Sequence, residues 1–308
     1  MLSLSVVVCA YTTERWLELQ QAVHSLRCQT RDVQQVLVVV DHHAELLRRC
    51  QEELDGVTVL ENSGPPGLSS GRNTGVAAAA GDVVAFLDDD ARADATWAER
   101  LVTAYDAPEV LGAGGYVMPD WRAPKPDWFP EEFLWVLGCS YRGQPGTKAV
   151  VRNAIGANMS FRRDIFARVG GFDPMIGRVG KDAAGCEETE FSLRAVALVP
   201  GGTIVLEPSA VVRHVVTPQR LTKSYFRERC RAEGQSKAII SQLVGQHDAL
   251  SSETTYTTRV LPSAVITGLM QALSGDPSGA RRSWAVCEGF ALTAHAYVAW
   301  RIRQLFAL

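Results

Sequence analysis

What this 308-residue sequence lacks already narrows what it encodes. No stretch reaches the roughly 20 apolar residues that a membrane-spanning helix requires. The nearest are 261–273 and 284–300, and the second carries Glu288 and His295. The opening MLSLSVVVCAYTTERW lacks the basic start of a signal peptide, and its apolar run is only as long as one buried strand. There is no excess of positive charge. Lys and Arg total 31 against 34 Asp and Glu, a net charge of −3, which argues against a dedicated nucleic-acid binder. The seven cysteines include no C-x-x-C pair. An odd, scattered set reads as reduced thiols of a cytosolic protein, not as a disulfide framework or a zinc site. A Walker A loop is missing, and GAGGYV at Gly112 lacks G-x-G-x-x-G spacing. Neither an internal repeat nor a low-complexity tract is visible. What remains, at 46% hydrophobic and 21% charged, is an ordinary globular composition with enough chain for a large core. The expected location is the cytoplasm, free or peripheral to the inner face of the membrane.

The first ninety residues alternate strand and helix. Apolar runs at 4–9, 35–40, 57–60 and 83–87 read as strands, and 14–28, 44–54 and 72–80 as helices. Strands apolar on both faces and separated by helices indicate a mostly parallel sheet covered on both sides. Functional loops of such sheets gather at the carboxyl ends of the strands. Those ends carry Ala10-Tyr11-Thr12, Asp41 and Asp88-Asp89-Asp90. After a strand at 110–118, the Pro-, Trp- and Gly-rich stretch 119–146 reads as an irregular excursion. Strands are then expected at 157–161, 203–206 and 211–215, and helices at 163–169, 187–198 and 222–243. A glycine-rich loop spans 170–185, a polar linker 245–258, and two helices near 259–273 and 282–306 complete the chain.

Four constellations carry chemistry. Three adjacent carboxylates at a strand end repel one another, so Asp88-Asp89-Asp90 calls for a positive neighbour. A divalent cation bridging carboxylate and phosphate oxygens is one solution, and a solvated turn or helix cap is the alternative. The run Gly67-Leu-Ser-Ser-Gly-Arg-Asn-Thr-Gly75 reads as a glycine-rich loop entering a helix, either an anion cradle with Arg72 or a plain surface loop. It also matches G-x-S-x-G with Ser69 as nucleophile, but that elbow must directly follow a strand, and Asn62-Ser-Gly-Pro-Pro intervenes. Glu187-Glu188-Thr189-Glu190 opens a helix, either compensating its N-terminal dipole or supplying a general base. His214, in the apolar strand VVRHVV, is either a satisfied core histidine or a ligand. Trp121, Trp128 and Trp135 either stack on sugar rings or anchor a loop.

In order, SVVVCAYTTER, Asp41, GLSSGRNTG, VVAFLDDDA, GANMSFRR, GGFD and EETEFSLR resemble the family 2 inverting glycosyltransferases of GT-A fold, over most of residues 1–240. More loosely they resemble the branch of glucuronosyl- and glucosyltransferases that act on lipid-linked or polysaccharide acceptors. The resemblance implies an α/β, Rossmann-like, mostly parallel sheet flanked by helices, with a C-terminal helical extension. It implies a catalytic domain over 1–245, with a nucleotide-sugar half at 1–118 and an acceptor half at 119–245, followed by the extension at 246–308. It places Ala10, Tyr11, Thr12 and Arg15 in the nucleotide loop, Asp41 at the base, and Gly67, Ser69 and Arg72 on the donor. Asp88-Asp89-Asp90 matches the D-x-D region, with Asp90 as metal ligand and Asp88 and Asp89 on the donor side. Gly156-Ala157-Asn158 would line the sugar pocket. His214 falls where relatives have a metal or diphosphate contact. Glu187-Glu188 occupies the Glu-Asp position, with Glu187 toward the donor and Glu188 as base, although the usual second residue is Asp.

The implied reaction moves a sugar from a nucleotide donor, UDP by preference, to an acceptor hydroxyl in one displacement. It needs Mn²⁺ or Mg²⁺ and inverts the anomeric centre. The acceptor would be a glycan, a lipid-linked sugar or a small molecule, and no nucleic acid is implied. Rival classes are a nucleotidyltransferase on a related fold, a serine hydrolase using Ser69, and a non-catalytic sugar-binding protein. Arg259, Arg281, Arg282, Arg301 and Arg303 flank the last two apolar stretches, which points to a membrane surface, a homodimer or simple packing.

Overall fold

The structure, a computed structural model, describes residues 2–176, 185–244 and 253–306. The chain divides into two compact units, one of Met1–Met118, Pro145–Asp182 and Glu187–His214, the other of Pro119–Gln144, Ala183–Cys186 and Val215–Leu308.

The first unit is built on a nine-stranded sheet. Its leading half is parallel: β1 (Leu4–Ala10) lies between β2 (Gln35–Val40) and β4 (Val83–Asp88), and β3 (Thr58–Glu61) flanks β2. Val6, Val7 and Val8 of β1 are fully buried, which explains the unbroken apolar run: helices cover both faces. The helices are α1 (Trp16–Arg27), α2 (Ala44–Glu53) and α3 (Leu68–Ala78). β5 (Ala91–Ala93) and α4 (Trp97–Thr103) follow β4.

The rest of the sheet is antiparallel. β6 (Val110–Trp121), β7 (Ala149–Val151), β8 (Asn158–Arg162) and β9 (Thr203–Val216) extend it in the order β4-β8-β6-β9-β5, with β7 also on β9. The two strands expected at 203–206 and 211–215 are thus one, continuing through Pro208. α5 (Arg163–Val169) and α6 (Glu187–Leu198) pack beside the sheet through a cluster of Phe161, Phe166, Phe172 and Phe191, with Phe166 and Phe191 stacked at 4.8 Å.

The Gly67–Gly75 segment is helix, not loop, because α3 begins at Leu68. Gly67, at φ 136°, makes the turn into it. Gly71 and Gly75 then face β1: a Cβ on Gly75 would lie 2.4 Å from Val7 Cγ1, and one on Gly71 3.4 Å from Cys9 Sγ. The four-residue glycine spacing is therefore a helix-to-strand packing device.

In the second unit, α7 (Lys223–Val244), α8 (Leu261–Leu273) and α9 (Ser278–Phe306) pack with the segment after β6. The expected irregular excursion holds a 3-10 helix at Glu131–Leu137, and β6 itself runs on to Trp121. Phe226 of α7 meets Phe129 at 5.5 Å and Phe133 at 5.4 Å, and Gly289 lets α9 lie directly on Phe133. Trp128 packs on Phe226 at 5.6 Å, while Trp135 Nε1 donates to Tyr256 Oη at 3.2 Å, so both tryptophans anchor their segment. The linker expected at 245–258 lies partly outside the described residues; its described end, from Glu253, is helical. Residues 177–184 of the expected glycine-rich loop also lie outside them.

Candidate active site

The carboxyl ends of β1, β2 and β4 lie side by side, as a parallel sheet requires. Ala10 ends β1 buried, and its carbonyl accepts from the Asp41 amide at 2.8 Å. Tyr11 is 40% exposed, and Thr12 caps the next turn by accepting from the Glu14 amide at 3.2 Å. Arg15 reaches across to β4: its Nη1 lies 2.8 Å from Asp89 Oδ1 and 3.3 Å from Asp90 Oδ2, with its guanidinium 5.4 Å from the Tyr11 ring centre. Burial works against its charge, but Asp89 and Asp90 outweigh that and raise its pKa.

Asp41 is held rigidly. Its Oδ1 accepts from Asn62 Nδ2 at 2.6 Å and its Oδ2 from the Gly67 amide at 2.9 Å. Asn62 is a partner of Asp41 that pattern reading passes over. It is buried, its Oδ1 accepts from the Gly64 amide, and it fixes both Asp41 and the chain entering α3. An amide residue directly after strand β3 was the available signal.

At the end of β4, Asp88, Asp90 and His214 bring ligand atoms within 4.8 Å of one another. His214 reaches them because β9 pairs with β5, setting it opposite Ala91 in the register. Its Nε2 lies 3.1 Å from Asp90 Oδ1, and both side chains are buried. Asp89, between them in the chain, is 4% exposed, with Oδ2 making no hydrogen bond. Burial pushes its carboxyl up to about 7, with Asp90 and Asp88 adding to the shift and Arg15 opposing it.

Arg72 joins this strand end to α6. Its Nη1 donates to Glu187 Oε1 at 2.6 Å, and Nη2 lies 4.0 Å from Asp88 Oδ1. Arg72 is 2% exposed, and its guanidinium sits against the rings of Phe86 and Phe172. Burial opposes its charge, and Glu187 and Asp88 more than offset that. Gly156 permits the arrangement, since a Cβ there would stand 3.0 Å from Arg72 Nη2. Glu187 is buried, and its second oxygen makes no hydrogen bond. Glu188, next on the same helix, is half-buried and accepts from the Thr189 hydroxyl at 3.3 Å.

Two of the expected donor residues have their side chains engaged elsewhere. Asn158 is fully buried in β8, donating to the Tyr116 and Ala210 carbonyls and accepting from Trp97 Nε1. Ser69 lies in the first turn of α3, 2% exposed, with its hydroxyl donating to the Ile176 carbonyl at 2.5 Å. A serine in a helix with that hydroxyl committed is not the strained elbow that a hydrolase nucleophile needs.

A parallel sheet carrying acidic strand ends, continued by antiparallel strands, is the GT-A arrangement, and sequence similarity over most of the chain makes the molecule a glycosyltransferase. The chain belongs to glycosyl transferase family 2, whose characteristic pattern matches residues 5–170. It is 36% identical over 249 residues to a glucosyl-dolichyl phosphate glucuronosyltransferase of Haloferax volcanii, covering 80% of this chain and 79% of that one. It is 24% identical over 242 residues to the succinoglycan biosynthesis protein ExoM of Rhizobium meliloti, covering 76% and 74%. Among solved structures, its fold resembles that of GalNAc-T7 with UDP, GalNAc and Mn²⁺, with a TM-score of 0.56 at 16% identity. That match covers 84% of this chain and 56% of the other, so the chain spans little more than half of that structure.

Proposed function

We propose that the protein transfers a sugar from a uridine diphosphate donor to an acceptor hydroxyl by one metal-dependent displacement that inverts the anomeric centre. The observation that carries this reading is the convergence of Asp88, Asp90 and His214 at the end of β4. The donor set fits the group: carboxylate oxygens suit Mg²⁺ and Mn²⁺, and an imidazole favours the transition metal. A cation bound there supplies positive charge against the diphosphate as it departs.

The protein's own residues perform the remaining tasks. Asp41, fixed by Asn62 and the Gly67 amide, presents a rigid acceptor to the donor's base and excludes rotamer loss on binding. Arg15 orders Asp89 and Asp90 beside Tyr11. On the α6 side, Glu187 is engaged by Arg72, and the half-buried Glu188, one residue on, would take the acceptor's proton as its oxygen attacks. No enzyme nucleophile is required, and an α-linked donor yields a β-glycoside. The acceptor is a lipid-linked sugar, a reading supported by the relative named for glucosyl-dolichyl phosphate, whose similarity extends over 80% of this chain.

Titration calorimetry with UDP and Mn²⁺, with and without chelator, tests the donor half of the reading. Binding should weaken at least tenfold on chelation and in Asp90→Ala. Equal affinity in the folded variant would remove the metal role. Product NMR tests the mechanism, because a retained anomeric configuration excludes a single displacement.

A further inference from the structure

The C-terminal helices carry an apolar surface that the catalytic reading leaves unused. On α8, Ile266, Leu269, Met270 and Leu273 follow i, i+3, i+4, i+7 spacing, are at least half exposed, and share one face. The opposite face of α8 meets α9 at a crossing of small residues, where Gly268 and Gly279 touch and Ser283 Oγ donates to the Val265 carbonyl. α9 repeats the pattern on its outer side: Trp284, Cys287, Ala291, His295, Val298 and Ile302 recur every three or four residues, all exposed, with Trp284 at 68%. Such faces on water carry a free-energy cost that contact with an apolar phase removes.

Charge decides which phase. Residues 259–306 contain five arginines against Asp276 and Glu288, although the whole chain is net negative. Both acids are taken internally, Asp276 by Arg282 at 3.0 Å and Glu288 by Arg227 at 2.7 Å. Arg259, Arg301 and Arg303 make no hydrogen bond or ion pair among the described residues, and the last two sit on either side of exposed Ile302. A second copy would offer these cations no uncommitted acid from the same helices. A sheet of anionic headgroups above acyl chains satisfies both features, with arginines at the headgroups and Trp284 at the boundary. No helix among the described residues is long and apolar enough to cross a bilayer.

We infer that the outward faces of α8 and α9 dock the protein on an anionic lipid surface, lying in its interface without crossing it. The inference stands on the helices alone and does not depend on the proposed transfer reaction.

Flotation with vesicles tests it, using phosphatidylcholine alone and phosphatidylcholine mixed with phosphatidylglycerol. The protein should float with the anionic vesicles, remain behind with the neutral ones, and be released by salt. Arg301→Glu with Arg303→Glu should weaken partitioning at least about tenfold. Trp284→Ser with Ile302→Ser should do likewise, with helical circular dichroism and UDP affinity unchanged in both. Failure to float, or equal flotation with both vesicles, overturns the proposal. So does a homodimer by light scattering that Trp284→Ser converts to monomer, without any vesicle binding.

Discussion

Arg72 and the two glutamates beside it divide under the proposed mechanism: Glu187 holds the buried arginine, and Glu188 would take the acceptor's proton. Arg72 and Glu187 are both buried and bond at 2.6 Å, so removing either partner leaves a buried charge uncompensated. Breaking such a pair costs about 3–5 kcal/mol. Arg72→Ala should therefore lower the urea midpoint markedly as well as weakening nucleotide binding. Glu188→Gln should leave the midpoint unchanged and donor affinity nearly intact, while turnover falls by roughly 10²–10⁴-fold. If Glu188→Gln turns over normally and folded Glu187→Gln is inactive, the base is Glu187.

The cysteines make a second comparison at this scale. Burial pushes Cys50 up to about 11, and Cys9 and Cys230 up to about 12, whereas Cys28 and Cys287 are exposed. The thiolate is the reactive form, so alkylation of native protein at pH 8 should label Cys28 and Cys287 and spare the other three. Mass spectrometry of the labelled peptides reads the result. Early modification of Cys230 would show that α7 opens locally.

At the scale of elements, two close approaches hold the site in register. α3 rests on β1 through Gly71 and Gly75, bringing Arg72 under the strand ends. β6 and β9 approach at Gly115, where a Cβ would stand 1.7 Å from the Ala210 carbonyl oxygen. Ala210 lies four residues before His214 on the same strand. Gly115→Ala must therefore push β9 outward, costing about 1–3 kcal/mol by denaturant titration. The displacement also carries His214 away from Asp90, so Mn²⁺-dependent UDP affinity should fall together with stability. A loss of stability with unchanged Mn²⁺ dependence would separate His214 from the metal role.

On the scale of the whole molecule, the balance of charge conceals an uneven distribution. The net charge of −3 argues against a dedicated nucleic-acid binder, yet residues 259–306 carry three more cations than anions. If UDP and Mn²⁺ bind only the folded protein, its unfolding midpoint should rise with their concentration, by about 2.7 kcal/mol of stabilisation at a hundredfold excess over Kd. A midpoint independent of both would contradict nucleotide binding.

The parallel half of the sheet was legible in the sequence because β1, β2 and β4 are covered on both faces and so have no polar alternation to blur. The acidic strand end was legible for a related reason: three adjacent carboxylates repel one another and call for a positive neighbour, although a solvated turn carries the same local pattern. Local pattern could not tell a glycine-rich loop from a glycine-faced helix, since both need the same small residues, and only contact with Val7 distinguishes them. Nor could it pair His214 with Asp90, more than a hundred residues away, because that meeting comes from the β5–β9 register. Chain-local chemistry, with its hydrophobic period, strand ends and capping acids, was determined by the sequence itself. Which Glu is engaged by Arg72, and which apolar faces stay in water, was decided by tertiary structure, because burial depends on partners distant along the chain.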